Sequence, residues 1–218
     1  MARDADATRR RILSVALGHF RELGFEKTTM RRVADDAGVS LGAAYHHFAS
    51  KQDIARAYYL QQTDAHEAAT RAAWERATGW LERVRLVLHT GLDVRATDRA
   101  LMRELAPLVV GTDEKTSAFS ADSAELRVRS MGLFREAIDD PAVPEDFRGV
   151  LVPALWAMSM GILLYFAHDP SAEQRKSRAL IDGAVELCGA LVGALSMPLM
   201  SPLRARLREV LDDATLLF

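Results

Sequence analysis

At 218 residues with a formal net charge of −2, the chain is long enough to bury a large core and too nearly neutral to be a uniformly basic nucleic-acid binder. Any DNA contact must therefore come from local charge asymmetry. Hydrophobic residues make up 49% and charged residues 27%, an ordinary globular composition that argues against disorder. The single cysteine, Cys188, excludes an internal disulfide framework and any multi-cysteine zinc site, and fits a reducing cytoplasm.

The opening residues MARDADATRRR are charged and run straight into an amphipathic pattern, unlike a signal peptide. Helical spacing predicts a first helix over about 8–23, with Ile12, Leu13, Ala16, Leu17, Phe20 and Leu23 on one face and Gly24 as its stop. Residues 28–54, TTMRRVADDAGVSLGAAYHHFASKQDI, then read as two short helices joined by a tight turn and followed at once by the start of another. Thr28 or Thr29 can cap the first, whose apolar positions are Met30, Val33, Ala34 and Ala37; Gly38 ends it. Ser40 is a natural N-cap for the second, from Leu41 to about His47, which must be held by packing through Ala44, Tyr45 and Phe48. Phe25 is expected to plug the small core formed with Val33, Ala37, Val39, Tyr45 and Phe48.

This stretch and the preceding RRRILSVALGHFRELGF resemble the TetR family of bacterial one-component transcription regulators, over roughly the first quarter of the chain. The family usually carries Thr and then a larger aliphatic residue where this chain has Ala43 and Ala44, which removes a hydroxyl contact from position 43. The resemblance implies a repressor with a DNA-reading head and a helical ligand-binding half.

The remaining helices are expected at about 51–77, 80–95, 98–110, 118–139, 146–168, 171–195 and 202–212, with a polar loop at 111–117 and an apolar end Leu216, Leu217, Phe218. No strand-like alternation or internal repeat interrupts them. The fold expected is all-α: a three-helix helix-turn-helix DNA-binding domain over 1–50 and a larger helical ligand-binding and dimerisation domain over 51–218, about nine or ten helices in all. Two stretches, 150–167 and 187–203, carry no charge, the first over about the minimum length of a membrane-spanning helix. Prolines and glycines inside them favour helices buried by their own domain and by a partner subunit, so no membrane partner is expected.

For DNA, Leu41, Gly42, Ala43 and His46 offer small or polar groups to base edges, with Ala43 able to touch a thymine methyl. Thr28, Thr29, Tyr45, His47 and Lys51 would mainly contact phosphates. Up to Arg56, basic residues modestly outnumber acidic ones. His46 and His47 diverge by about 100° on a helix, so no metal site is expected. A ligand pocket, implied by the resemblance, has candidates in Trp80, His89, Met102, Leu105, Phe119, Met131, Phe134, Trp156, Met160 and Tyr165. Their mainly apolar character suggests a small hydrophobic effector. The predicted dimer interface comprises Leu151, Leu155 and Ile162 with Ile181, Ala184, Leu187, Cys188, Leu191 and Leu195.

No nucleophile-base constellation, P-loop, dinucleotide fingerprint or paired-carboxylate motif is present, so neither an enzyme nor a cofactor is expected. The reading is a cytoplasmic homodimeric repressor released from a palindromic operator by its effector. The alternative is a helical ligand-binding or scaffold protein without DNA affinity.

Overall fold

A computed structural model describes residues 2–214, with side chains from Asp4 to Val210. Ten α-helices and no strand occur among the described residues. They are α1 (Ala2–Leu23), α2 (Met30–Asp36), α3 (Leu41–His47), α4 (Lys51–Trp74), α5 (Trp80–Arg95), α6 (Arg99–Val110), α7 (Ala124–Ala137), α8 (Glu145–His168), α9 (Arg175–Leu195) and α10 (Ser201–Ala214). Most starts and stops fall within a few residues of the expected ones. The expected apolar end at 216–218 lies outside the described residues.

The chain forms two compact units, and their boundary differs from a simple cut at residue 50. The first contains residues 1–62 and, from much later in the sequence, 98–124; the second contains 63–97 and 125–218. Helix α4 contributes residues up to Gln62 to the first and from Thr63 to the second.

In the first unit, the buried stripe Ile12, Leu13, Ala16, Leu17 and Phe20 of α1 meets Phe25, Val33, Ala37, Ala44 and Phe48, as apolar spacing requires. Three short helices cannot bury much surface by themselves. The core is completed by Ile54, Ala55 and Tyr58 of α4, and by Leu101 and Leu105 of α6. Polar ties reinforce this docking. Arg21 on α1 pairs with Asp98 at 2.7 Å, the Phe25 N–H donates to Glu104 at 3.4 Å, and the Tyr59 hydroxyl donates to the Leu105 carbonyl at 3.2 Å. Gly24, at φ +85°, supplies a left-handed backbone that L side chains rarely adopt, and a Cβ there would also push the Glu104 carboxylate, 2.9 Å away, aside. Tyr45 is the exception to the expected core, being 48% exposed; Ala44 takes the inward position on α3 instead.

Helix α7 starts at Ala124, not near 118. Residues 118–123 form turns that are tied together by the hydroxyls of Ser117 and Ser120 accepting backbone N–H groups of Phe119 and Ser123. Such side-chain bonds compete with helix formation, which is why helical apolar spacing alone misplaced the start.

In the second unit, α5, α8 and α9 pack around Val84, Val87, Leu88 and Leu92 of α5, Leu155 and Ile162 of α8, and Ile181 and Val185 of α9. Helix α8 is long and apolar enough to cross a membrane, yet more than half of its apolar window is buried within the chain, as in the core helix of a soluble protein. The second uncharged stretch is not one helix. Helix α9 ends at Leu195, and the chain bends by 92° before α10. Asp169 fixes the entry to α9 by accepting from the N–H and hydroxyl of Ser171 and of Ser177, at 2.7 to 2.9 Å. Burial opposes ionisation of Asp169, but these four bonds outweigh it and hold the carboxyl well below the usual carboxylate range.

Candidate nucleic-acid interface

The α2–turn–α3 segment is built by local chemistry at each joint. Thr29 sits in extended backbone and its hydroxyl oxygen accepts the Arg32 N–H at 3.3 Å, capping α2. Gly38, at φ +63°, closes α2. The N–H of Val39 reaches the Ala34 carbonyl at 3.0 Å, and that of Gly38 reaches the Asp35 carbonyl at 3.1 Å, which is the paired bonding of a Schellman motif. Ser40 then accepts the Ala43 N–H at 3.1 Å and starts α3. His19 of α1 pairs with Asp36 at the end of α2 at 2.8 Å, fixing this hairpin against α1.

Helix α3 buries Ala44 completely and is followed by Phe48, 2% exposed. Gly42, Tyr45 and His46 are exposed; Leu41, Ala43 and His47 are half-buried. The exposed face therefore combines a glycine, a phenol and an imidazole, with no bulky aliphatic group to hold a groove away. Leu41 also packs against the core, so it holds α3 in place as well as edging the face.

One expected phosphate contact, Thr28, needs correction, and a second, Lys51, has partners inside the protein. Thr28 is 1% exposed and its hydroxyl donates to the Gly24 carbonyl at 2.9 Å, so it braces the α1–α2 turn rather than facing solvent. Lys51 is partly engaged inside the protein: its ammonium donates to the carbonyls of Phe25 at 2.7 Å and Glu26 at 3.2 Å, and lies 4.6 Å from the Phe25 ring centroid. A lysine has three donors. Two of those on Lys51 are already used. Thr29 remains exposed, with its hydroxyl proton free of the cap it accepts.

One further group near the start of α4 was not visible as such in the sequence. Lys115, in the loop after α6, reaches Asp53 at 3.3 Å and the Ser50 hydroxyl at 3.4 Å, while Ser50 itself caps the Asp53 N–H at 3.2 Å. A separation of 62 residues between Lys115 and Asp53 leaves no local sequence signal for such a pair.

The ten pocket candidates are divided between the units. Met102, Leu105 and Phe119 belong to the first, where Leu105 is core and Phe119 is 54% exposed on a turn. The late start of α7 leaves Phe119 outside that helix, and α6, which carries Met102 and Leu105, packs with α1. Trp80, Met131, Phe134 and Trp156 are buried in the second unit, Met160 is half-buried, and Tyr165 is 43% exposed. His89 lies 3.1 Å from Asp182 of α9, to which Arg85 also binds at 3.2 Å.

The expected dimer residues separate just as sharply. Leu151, Leu155, Ile162, Ile181 and Leu195 are at most 6% exposed within one chain, so they are its own core and not a free interface. Their burial follows from α8 and α9 packing against each other and against α5. Leu187 and Leu191 are 75% and 58% exposed, and Ala184 and Cys188 are half-buried. Burial raises the Cys188 thiol pKa, which disfavours the thiolate.

This is the architecture of a helical regulator with a helix-turn-helix head. Residues 12–58 match the family of bacterial regulatory proteins called tetR, and residues 83–217 match the tetracyclin repressor-like C-terminal domain. The chain belongs to the TetR family. HTH-type transcriptional regulators of Staphylococcus aureus strains USA300 and NCTC 8325 are each 39% identical to it over 64 residues, 29% of this chain and 34% of theirs. The chain thus spans about a third of the length of the curated relatives it matches. Among solved structures, a TetR transcriptional regulator from Nitrosomonas europaea superposes with a TM-score of 0.65 at 16% identity, covering 82% of this chain and 96% of that one. A tetR-family regulatory protein from Rhodococcus RHA1 gives 0.59 at 24% identity, covering 85% and 97%. Family members are generally non-enzymatic regulators that bind DNA, and are typically dimeric with small-molecule effectors.

Proposed function

We propose that this protein is a cytoplasmic, homodimeric transcriptional repressor that reads a palindromic operator with α3 and releases it when a small, mainly hydrophobic molecule binds. The observation that carries the reading is the α2–turn–α3 geometry: both helices are capped by hydroxyls, the turn is closed at Gly38, and α3 presents Gly42, Ala43, Tyr45 and His46 on its open side. Ala43 suits a thymine methyl, while His46 and Tyr45 supply polar contacts to bases and phosphates. Dimerisation is supported by the apolar groups that α9 leaves exposed, Leu180, Leu187 and Leu191. Two-fold symmetry would set two copies of α3 about one DNA turn, ~34 Å, apart.

Release is a population shift. An effector must bind more tightly to the form whose two α3 helices are wrongly spaced, and α4, a single helix belonging to both units, is the element whose tilt transmits the change. The apolar groups of the second unit, Met131, Phe134, Trp156 and Met160, support a hydrophobic effector.

The test is salt-dependent retardation of DNA fragments from upstream of the protein's own gene, followed by footprinting. A protected palindrome is expected. Failure to retard any genomic fragment at low salt overturns the regulator reading.

A further inference from the structure

A guanidinium outside the helix-turn-helix is held against the end of α3. Arg9, in the second turn of α1, lies with its guanidinium carbon 4.6 Å from the centroid of the Phe48 ring. Phe48 is the residue that terminates α3 and is 2% exposed, so its position is set by the core. Contact with a fixed ring restricts the Arg9 guanidinium to the neighbourhood of the residue that ends α3.

The contact is with a ring and not with a hydrogen-bond acceptor, so it leaves the guanidinium N–H donors available. Among the described residues Arg9 has no carboxylate partner, whereas other arginines on this protein are paired: Arg21 with Asp98, Arg129 with Asp64 and Glu67, Arg148 with Asp139, and Arg178 with Asp93. Arg9 is exposed, and Arg10 and Arg11 next to it are exposed as well. In a chain of net charge −2, three consecutive cations on the first turns of α1, one of them against the end of α3, are a local run of positive charge. All three precede residue 12, where the match to the family begins.

Lys51 offers the contrast. Its ammonium is already bonded to two backbone carbonyls, so turning it to a phosphate would cost those bonds or leave one donor for the purpose. Arg9 would give up nothing. Its planar fork matches two oxygens of one phosphate, and the ring beneath has already removed much of its rotamer freedom.

We infer that Arg9, held on Phe48, is a phosphate clamp that anchors the end of α3 to the DNA backbone beside the bases it reads. The inference rests on the DNA-binding reading above and assigns to an α1 residue the anchoring role that sequence pattern gives to Lys51. The clamp is indifferent to sequence. It fixes the register of α3 without choosing bases.

The experiment measures binding of the full chain to a fluorescein-labelled mixed-sequence duplex of roughly 30 base pairs, about three helical turns, across a series of salt concentrations. Variants are Arg9→Gln, Arg9→Lys and Lys51→Gln, each checked for its thermal unfolding midpoint. Arg9→Gln should weaken binding and make the slope of log K against log salt shallower by about 1 per protomer, or about 2 for a dimer. Arg9→Lys should restore the slope, because it restores the charge. Lys51→Gln should change the slope by less than Arg9→Gln does. If the unsubstituted protein binds and Arg9→Gln binds with the same slope, the clamp is refuted while the regulator reading stands; a lowered unfolding midpoint with that unchanged slope refutes it too, by showing that Arg9 only supports Phe48. If the unsubstituted protein binds neither this duplex nor genomic fragments, both fall together.

Discussion

Helices α3 and α8 are opposite solutions to the problem of holding a helix in place. Helix α3 has 7 residues, buries one of them, and owes its position to the Ser40 cap, the Gly38 turn and Phe48 just beyond its end. Helix α8 has 24 residues, has no side-chain cap, and is held by burial along most of its length. Local chemistry can aim a short helix because each bond acts on a definite backbone group. A long apolar helix is aimed only by what packs around it, since almost any of its faces could be buried.

The contrast can be broken at its strongest point first. Leu105 comes from a helix remote in sequence yet is 1% exposed in the core it shares with α1, α2 and α3. Leu105→Ala should cost about 2 to 5 kcal/mol and lower the unfolding midpoint, since it leaves a cavity in a small core. A change within error would show that the first unit is held by its local joints alone.

The next largest effect is one of pH in the second unit. His66 of α4 hydrogen-bonds the Val87 carbonyl at 2.8 Å, and burial first, then the Arg95 guanidinium, push its pKa down to about 4. The unfolded state binds this proton near pH 6.5, the folded state only near 4. Its neutral form is therefore compatible with folding above pH 6.5, and stability is lost as pH falls from there to 4, by on the order of 3 kcal/mol. Denaturant titrations at pH 7 and 4.5 should show this loss, and His66→Gln should reduce it. An equal loss in the variant would assign the effect to other groups.

Smaller still is the cap. Ser40→Ala should cost about 1 kcal/mol, expressed as faster amide exchange in α3 and weaker DNA binding, while the second unit is unaffected. The smallest effect on the folded chain should come from Leu187→Glu. This side chain is 75% exposed, so its change should leave the secondary structure intact by circular dichroism but convert a dimer to a monomer by sedimentation. A dimer surviving both Leu187→Glu and Leu191→Glu would place the interface elsewhere.

The caps and turn at Thr29, Gly38 and Ser40 were legible because each answers to neighbours within a few residues. The roles of Thr28, Tyr45 and Lys51 were not. A threonine before a helix can cap it or brace the preceding turn, and only the turn at Gly24 decides in favour of the brace. Lys51 reads as a free cation until the Phe25 and Glu26 carbonyls, about 26 residues earlier, are brought against it. On α9, Ile181 and Leu187 are both apolar and equally good interface candidates in sequence; one is 0% and the other 75% exposed.

By itself, the sequence determined an all-helical chain, the order and approximate limits of its helices, and the hairpin that joins α2 to α3. These depend on periodicity and on bonds between near neighbours. Tertiary structure decided that α6 belongs to the unit containing the head, which faces of α8 and α9 are core, and which cations remain free near α3. Those outcomes depend on contacts between residues scores of positions apart, where a one-dimensional pattern records the kind of side chain but not what meets it.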